Sequence, residues 1–285
     1  MPELPEVEVL VRHLAPLIQG RKIHQVEVRR AKVLAPTDVE EFSRVLLGAT
    51  FTSLTRRGKY LLFGIRPARQ RVTRILLGHL GMTGRMYVQS LRAPLPRHAA
   101  VILKLGRENF IFEDTRYFGR LTLETAAIDR LGPEPLGCEF TVAGFSAALK
   151  RSAQPIKVKL LDQQLVAGVG NIYASEALFR AGISPRTAAR RLKPAQVARL
   201  WHSIRETLNE AIACGSTIPL NFDGEGKRDG LFYFGRSSKA PAHYGERLQV
   251  YDRQGEPCVK KCGGTIKRLV QAARSTYFCS HCQSA

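Results

Sequence analysis

The chain has 285 residues, 44% hydrophobic and 8% aromatic, the make-up of a folded protein with room for two or three compact units rather than a disordered one. Forty-four Lys and Arg against 24 Asp and Glu give a formal net charge of +20, and self-repulsion of that size points to a polyanionic partner, nucleic acid above all. No apolar run reaches the roughly 20 residues of a membrane span, and the acidic N-terminus lacks the basic-then-apolar pattern of a signal peptide, so neither membrane nor export is expected.

In chain order, Val7, Leu10, Leu14, Leu17 and Ile18 recur at helical spacing, so residues 3–18 are expected to form an amphipathic helix that Gly20 ends. Short β-like runs follow at Lys22–Arg29, Ala49–Leu54, Tyr60–Ile65, Arg74–Leu80, Ala100–Leu105, Asn109–Phe112 and Arg120–Glu124, punctuated by glycines. So many short strands at close spacing predict an antiparallel sandwich or barrel with the first helix packed against it. The pattern changes at Leu131-Gly132-Pro133-Glu134-Pro135, which reads as a linker. Beyond it the chain reads as helical: Thr141 caps a segment through Leu149, and Ile156–Gln164, Ala174–Ala181 and Pro194–Ala213 follow. The stretch from Gly215 to about Gly245 is rich in Gly, basic and aromatic residues without periodicity, as functional loops often are. Two β-like runs, Leu248–Tyr251 and Ser275–Phe278, lie in the C-terminal part. The expected fold class is therefore multidomain α+β, divided at 1–132, 133–246 and 247–285.

Four of the six cysteines cluster as Cys258-x3-Cys262 and Cys279-x2-Cys282, separated by sixteen residues. Two close thiol pairs at that separation suit one tetrahedral Zn2+ held by two knuckles of a β-hairpin, with Gly263-Gly264 supplying a tight turn. Two disulfides are the alternative, at odds with the missing export signal. A ribbon this small does not fold alone, which gives the metal a structural task. His281 is a competing ligand, although four thiolates already complete a site. Lys267, Arg268 and Arg274 make the intervening hairpin basic, as a phosphate-contacting tip would be. Cys138 and Cys214 stand alone and read as buried thiols.

At the N-terminus, removal of Met1 would expose the secondary amine of Pro2. An α-amino group titrates near pH ~8, so part of it is nucleophilic at neutral pH, and a secondary amine attacking an aldehyde-level carbon gives an iminium. Glu3 adjoins that nitrogen as a possible proton donor or acceptor. Equally, Pro-Glu is an ordinary start for a helix.

Five motifs decide between those readings: Arg57-Gly58-Lys59-Tyr60-Leu61-Leu62, Gly78-His79-Leu80-Gly81-Met82-Thr83-Gly84, Asp114-Thr115-Arg116-Tyr117-Phe118-Gly119, Gly168-Val169-Gly170-Asn171-Ile172-Tyr173-Ala174-Ser175-Glu176 and Gln254-Gly255-Glu256-Pro257-Cys258. Together with Pro2-Glu3-Leu4-Pro5-Glu6, the basic charge and the cysteine cluster, they resemble along the whole chain the formamidopyrimidine-DNA glycosylase family, which includes endonuclease VIII. Leu4 favours the formamidopyrimidine branch, since endonuclease VIII usually has Gly there.

The resemblance implies an N-terminal β-sandwich with a flanking helix, a helix-two-turn-helix domain and a C-terminal zinc-ribbon hairpin. It implies a bifunctional glycosylase and AP lyase, cytoplasmic and nucleoid-associated, working as a monomer on double-stranded DNA that carries oxidised bases or abasic sites. By that resemblance Pro2 is the nucleophile and Glu3 its acid, with Glu6 arranging the N-terminal helix. Lys59, His79, Asn171 and Arg274 hold phosphates, while Met82, Arg116 and Phe118 fill the space left by an extruded nucleotide. Three departures stand out. The first cysteine knuckle has three intervening residues where the family usually has two. Tyr117 stands where a second arginine is common, and the Asn221–Tyr244 segment looks longer than the loop expected to cap the lesion. That long segment keeps open a preference for oxidised pyrimidines or hydantoins, and a non-catalytic damage-binding protein is a further alternative.

Overall fold

The computed structural model describes residues 2–68, 70–215 and 247–283, so the expected loop at 221–244 lies outside the described residues. They divide into two compact units, one of residues 2 and 6–129, the other of residues 3–5, 130–215 and 247–283.

The first unit holds α1 (Leu4–Ile18) from Glu6 onward, with Val7, Leu10, Leu14 and Ile18 all buried, while Leu17, expected on that face, is exposed. Eight strands follow: β1 (Gln25–Val28), β2 (Thr50–Arg57), β3 (Tyr60–Arg66), β4 (Arg74–His79), β5 (Gly84–Ser90), β6 (Ala99–Lys104), β7 (Glu108–Asp114) and β8 (Arg120–Thr122). They form two four-stranded antiparallel sheets, ordered β2-β3-β4-β8 and β1-β6-β7-β5. Phe51, Phe63, Phe110 and Phe112 fill one shared core, with Phe63 and Phe110 edge to face at 5.6 Å. The expected sandwich is therefore present.

Three elements of this unit are absent from the sequence-based expectation: a strand and two short α-helices. Strand β5 alternates Gly84, Met86 and Val88 inward with Arg85, Tyr87 and Gln89 outward, a period of two broken up by polar residues that are themselves paired. Outside the sheet Tyr87 donates to Glu113 at 2.9 Å, and Arg85 reaches the same carboxylate at 3.4 Å. Helix α2 (Val39–Leu46) has eight residues, too few for a clear period, and starts where Asp38 accepts a bond from the Glu41 amide. The four-residue α3 (Ala126–Asp129) ends the unit.

The second unit holds α4 (Val142–Lys150), α5 (Ile156–Leu160), α6 (Asn171–Ala181) and α7 (Pro194–Ala213), then a hairpin of β9 (Ile266–Gln271) and β10 (Arg274–Cys279). Thr141 caps α4 by accepting from the Gly144 amide, and α7 has the expected bounds. Helix α5 stops at Leu160, short of Gln164, because Asp162 turns the chain by accepting from the Lys159 ammonium and the Gln164 amide. Residues 248–251, read from sequence as β-like, are not a strand. The amides of Gln249, Val250 and Tyr251 donate instead to the buried carboxylate of Glu176 on α6. The reading of the isolated cysteines as buried thiols also fails, since Cys138 is exposed and Cys214 half-buried. No described helix is long and apolar enough to cross a membrane.

Candidate functional site

Pro2 is buried, and beside it Glu3 is held in an unusual place. Its carboxylate accepts from the amides of Ile172 at 3.0 Å and Tyr173 at 3.4 Å, the free N–H groups in the first turn of α6. That approach explains the glycines of the 168–171 turn. A methyl group on Gly170 would stand 2.3 Å from the Glu3 carboxyl carbon, and one on Gly168, whose φ is +84°, would stand 2.7 Å from the Leu4 side chain. The Leu4 amide donates to the Gly168 carbonyl at 3.1 Å. Two stretches far apart in sequence are therefore fitted as one piece, which no single motif reveals. Glu6 is buried as well.

In the first unit, Lys59 is buried within the β2–β3 turn, after Gly58, which takes φ +57°. Arg56 fastens that turn: its guanidinium bonds the Gly58 carbonyl at 3.0 Å and Glu8 of α1 at 3.0 Å. Burial raises the Glu8 carboxyl, but the bonds from Arg56 and Arg12 outweigh it and leave the group below its ordinary value. His79, at the end of β4, is pushed down to about 4 by burial and by the nearby charges of Lys59 and Arg120. Its Nδ1 accepts from the Gly81 amide at 3.1 Å, which places the proton of the neutral ring on Nε2. At neutral pH His79 offers a donor, not a positive charge.

Met82, Arg116 and Phe118 are brought together on two touching loops. Asp114, fully buried, accepts from the Thr83 hydroxyl at 2.5 Å, the Arg116 amide at 3.0 Å and the Gly119 amide at 2.7 Å, so one carboxylate organises both loops. The loops approach so closely that a methyl group on Gly81 would stand 2.6 Å from the Gly119 nitrogen. The Arg116 guanidinium lies 4.8 Å from the Phe118 ring centroid and 3.6 Å from the Met82 sulfur. Met82 and Phe118 remain 46% and 48% exposed, although both are large and apolar. Tyr117 between them turns the other way: with φ +54° it packs on the sandwich core and carries the Arg30 guanidinium 5.3 Å from its ring centroid.

Asn171, the first residue of α6, is committed within the protein. Its Oδ1 accepts from Lys157 at 2.6 Å, and its Nδ2 donates to the Ser275 carbonyl at 2.9 Å and toward the Tyr251 hydroxyl at 3.5 Å. Lys157 was not singled out from the sequence, where it is one lysine in an ordinary helical run. It is fully buried, and its ammonium is lowered to about 8 by burial, with Glu3 raising and Arg274 lowering it. Glu3, Lys157, Asn171 and Arg274 thus belong to one charged group, with Arg274 exposed at the start of β10. Nothing in the local pattern around Lys157 announced this; only the packing of α5 on α6 does.

The sulfurs of Cys258, Cys262, Cys279 and Cys282 all lie within 4.8 Å of one another, with Cys258–Cys282 at 3.8 Å and Cys262–Cys279 at 3.5 Å. A tetrahedral tetrathiolate site with metal–sulfur bonds of about 2.3 Å has edges of ~3.8 Å, whereas a disulfide would bring two sulfurs to about 2.0 Å. The donor set fits a structural metal ion and not two disulfides. The extra residue of the first knuckle is absorbed by Lys261, which takes φ +53° while its amide donates to the Cys258 carbonyl at 2.9 Å. A methyl group on Gly264 would press on Cys279 Sγ at 3.0 Å, so this glycine lets the backbone run beside the thiols. The His281 ring contacts the Cys262 carbonyl through Nδ1 at 2.5 Å and lies outside the four-sulfur group.

An α+β chain with an N-terminal sandwich, a glycine-turn helical unit and a four-cysteine hairpin is the build that three family models match in sequence. They describe the formamidopyrimidine-DNA glycosylase N-terminal domain over residues 1–121, the formamidopyrimidine-DNA glycosylase H2TH domain over 131–221, and a zinc finger found in FPG and IleRS over 255–285. The chain belongs to the formamidopyrimidine-DNA glycosylase family. It is 41% identical to the formamidopyrimidine-DNA glycosylase of Symbiobacterium thermophilum, an alignment covering 99% of this chain and 89% of that one. It is 39% identical to that of Bacillus licheniformis over 99% of both. Among solved structures, a complex between Lactococcus lactis Fpg and DNA containing an abasic site matches with a TM-score of 0.86 and 33% identity over 99% of this chain and 100% of that one. A structure of MutM with DNA containing carbocyclic 8-oxo-G matches with a TM-score of 0.85 and 34% identity over the whole of both chains.

Proposed function

We propose that this family member is a bifunctional DNA glycosylase and AP lyase of base excision repair that removes oxidised purines, 8-oxoguanine and formamidopyrimidines, from double-stranded DNA. The observation that carries the reading is the seating of Glu3, next in the chain to Pro2, on the Ile172 and Tyr173 amides, with a glycine where any side chain would displace it. Two oriented N–H groups fix the carboxyl one residue from the amine. The similar solved structures, which hold abasic-site and 8-oxo-G DNA, support the substrate class.

In the proposed reaction, Met1 is first removed and the Pro2 nitrogen attacks C1′ of the damaged nucleotide. The C1′–base bond breaks and the base leaves with the bonding electrons, while Glu3 takes up the proton released by the Pro2 nitrogen and passes it to the ring oxygen as the deoxyribose opens. The resulting iminium acidifies the C2′ protons, and β- then δ-elimination expels the 3′ and 5′ phosphates. Lys59 and Arg274 supply positive charge to the phosphates and His79 a neutral N–H. The Asn171 side chain acts by holding Lys157 and the Ser275 backbone, and its contribution to phosphates comes through the turn it begins. Met82, Arg116 and Phe118 replace the extruded nucleotide in the stack. Glu6 supports the N-terminal helix. One Zn2+ on the four thiolates shapes the hairpin and takes no part in bond making. We place the enzyme in the cytoplasm, near the nucleoid, as a monomer.

Borohydride trapping on a duplex with 8-oxoguanine opposite cytosine tests the reading. A covalent adduct is expected from protein whose Met1 is shown to be removed, and none from Pro2→Gly. Protein that starts at Pro2 and gives no adduct with any oxidised base would overturn it.

A further inference from the structure

The second unit carries a run of cations that the proposed active site does not use. No Asp or Glu lies between Glu139 and Asp162, nor between Glu176 and Glu206, while these two stretches contribute Lys150, Arg151, Arg186, Arg190, Arg191 and Lys193. All six are exposed, and none has an acidic partner within 4.0 Å among the described residues.

The fold concentrates them. Lys150 ends α4, Arg151 follows it, and the amide of Arg190 donates to the Ser152 carbonyl at 2.9 Å. The amide of Ala189 donates to Gln154 at 2.9 Å, and Pro155 bridges Ala188, so 152–155 and 187–190 run side by side. Arg191 and Lys193 then lead into α7, whose first turn has no acid. Cations beside one another and at that end of a helix oppose both their own repulsion and the helix dipole. Nothing described offsets that cost.

The patch is continuous with the metal-bearing hairpin. The Gln271 side-chain Nε2, at the hairpin turn beside Arg274, donates to the Pro185 carbonyl at 3.3 Å, and the Arg186 guanidinium lies 5.6 Å from the Phe278 ring centroid on β10. The basic residues therefore run from Arg274 through Arg186 to Arg190, Arg191, Lys150 and Arg151 within one compact unit.

We propose that this row is a second binding surface for duplex DNA, gripping phosphates of the flanking helix beyond those beside the lesion. It rests on the reading of the chain as a DNA-binding enzyme and adds where, outside the reacting site, the duplex is held. Phosphate binding of this kind carries no sequence information but sets affinity for undamaged DNA and its salt dependence. The surface suits an enzyme that must hold undamaged duplex before it meets a lesion.

The test uses the full-length metal-loaded protein and the variant K150Q/R151Q/R190Q/R191Q, which alters no residue placed in the reacting site. Binding to lesion-free duplexes of about one and about three helical turns is followed against salt concentration. The slope of log K against log salt is expected to fall by about 0.9 for each phosphate that the variant no longer neutralises, on the longer duplex only. With two or more phosphates left unneutralised, affinity for it should drop at least about ten-fold at low salt. Borohydride trapping on the short lesion duplex should be unchanged, which also shows that the variant is folded. An unchanged slope on the longer duplex overturns the proposal, as does an equal loss of affinity on both lengths. So does a loss confined to single-stranded RNA or to vesicles of anionic phospholipid. If the wild type shows no salt-dependent duplex binding at all, the underlying reading fails instead.

Discussion

The two loops of the sandwich that carry Met82, Arg116 and Phe118 and the C-terminal hairpin that carries Arg274 solve the same problem by different means. Each must present exposed side chains in a defined place on a segment too short to fix itself. The sandwich loops are held from inside by one fully buried carboxylate, Asp114, and by glycines that let the backbones touch. The hairpin buries Ile266 of β9 and one end of β10, from Thr276 to Cys279, and is held by four sulfurs packed beside Phe179 of α6. A carboxylate can do this where a core already exists to bury it. A segment without enough apolar surface needs a metal.

Removing each holder should break the comparison most strongly on the metal side. Cys279→Ser should release the ion and unfold the hairpin, since thiolate metal sites of this kind contribute on the order of 10 kcal/mol to folding. Metal content and near-ultraviolet circular dichroism should both fall while the sandwich still melts cooperatively. Metal-free protein that still binds duplex DNA would contradict the task given to the hairpin. On the sandwich side, Asp114→Ala should cost about 2–4 kcal/mol, because it leaves the Gly119 and Arg116 amides and the Thr83 hydroxyl without their acceptor. Denaturant unfolding would show this with metal content unchanged.

A third outcome separates the regions by pH. His79 has a value of about 4 in the fold against an ordinary 6.5, so between these values the unfolded chain binds the extra proton. Its contribution to stability is whole above pH 6.5 and is lost as pH falls toward 4. Comparing wild type with His79→Gln by thermal melting over that window should show the difference shrinking toward acid pH, with metal content checked at each point. The smallest effect belongs to the hairpin turn. Ala272 and Ala273 both have positive φ, +48° and +57°, a conformation that strains an L side chain. Ala273→Gly should stabilise the folded protein by about 1 kcal/mol or less, read as a small rise in melting temperature.

How much of this was visible in the sequence depended on range. Helix α7 and the capped start of α4 were read to the residue because their signals are local: a Pro in the first turn, a threonine cap, apolar residues every three or four positions. The cysteine spacing was local in the same sense. Strand β5 is hidden in the sequence because its outward Arg85 and Tyr87 are polar residues whose partner Glu113 lies across the sheet, far along the chain. Residues 248–251 were misread because their apolar run looks like a strand, while their amides are claimed by Glu176, about 75 positions earlier.

The motifs supplied the candidate residues, and the tertiary structure decided what holds each one. By itself the sequence determined a basic, multidomain α+β protein with a four-thiol metal cluster and the motifs of its family, because charge, periodicity and short spacings survive in one dimension. Only the tertiary structure decided that Glu3 rests on the first amides of α6, that His79 is neutral, that Asn171 is spent on a buried Lys157, and that six cations without acidic partners among the described residues lie along one surface. Each of these depends on burial and on partners far away in the chain. Those quantities exist only once the backbone has closed, since desolvation and hydrogen-bond geometry are properties of packed neighbours and not of residue order.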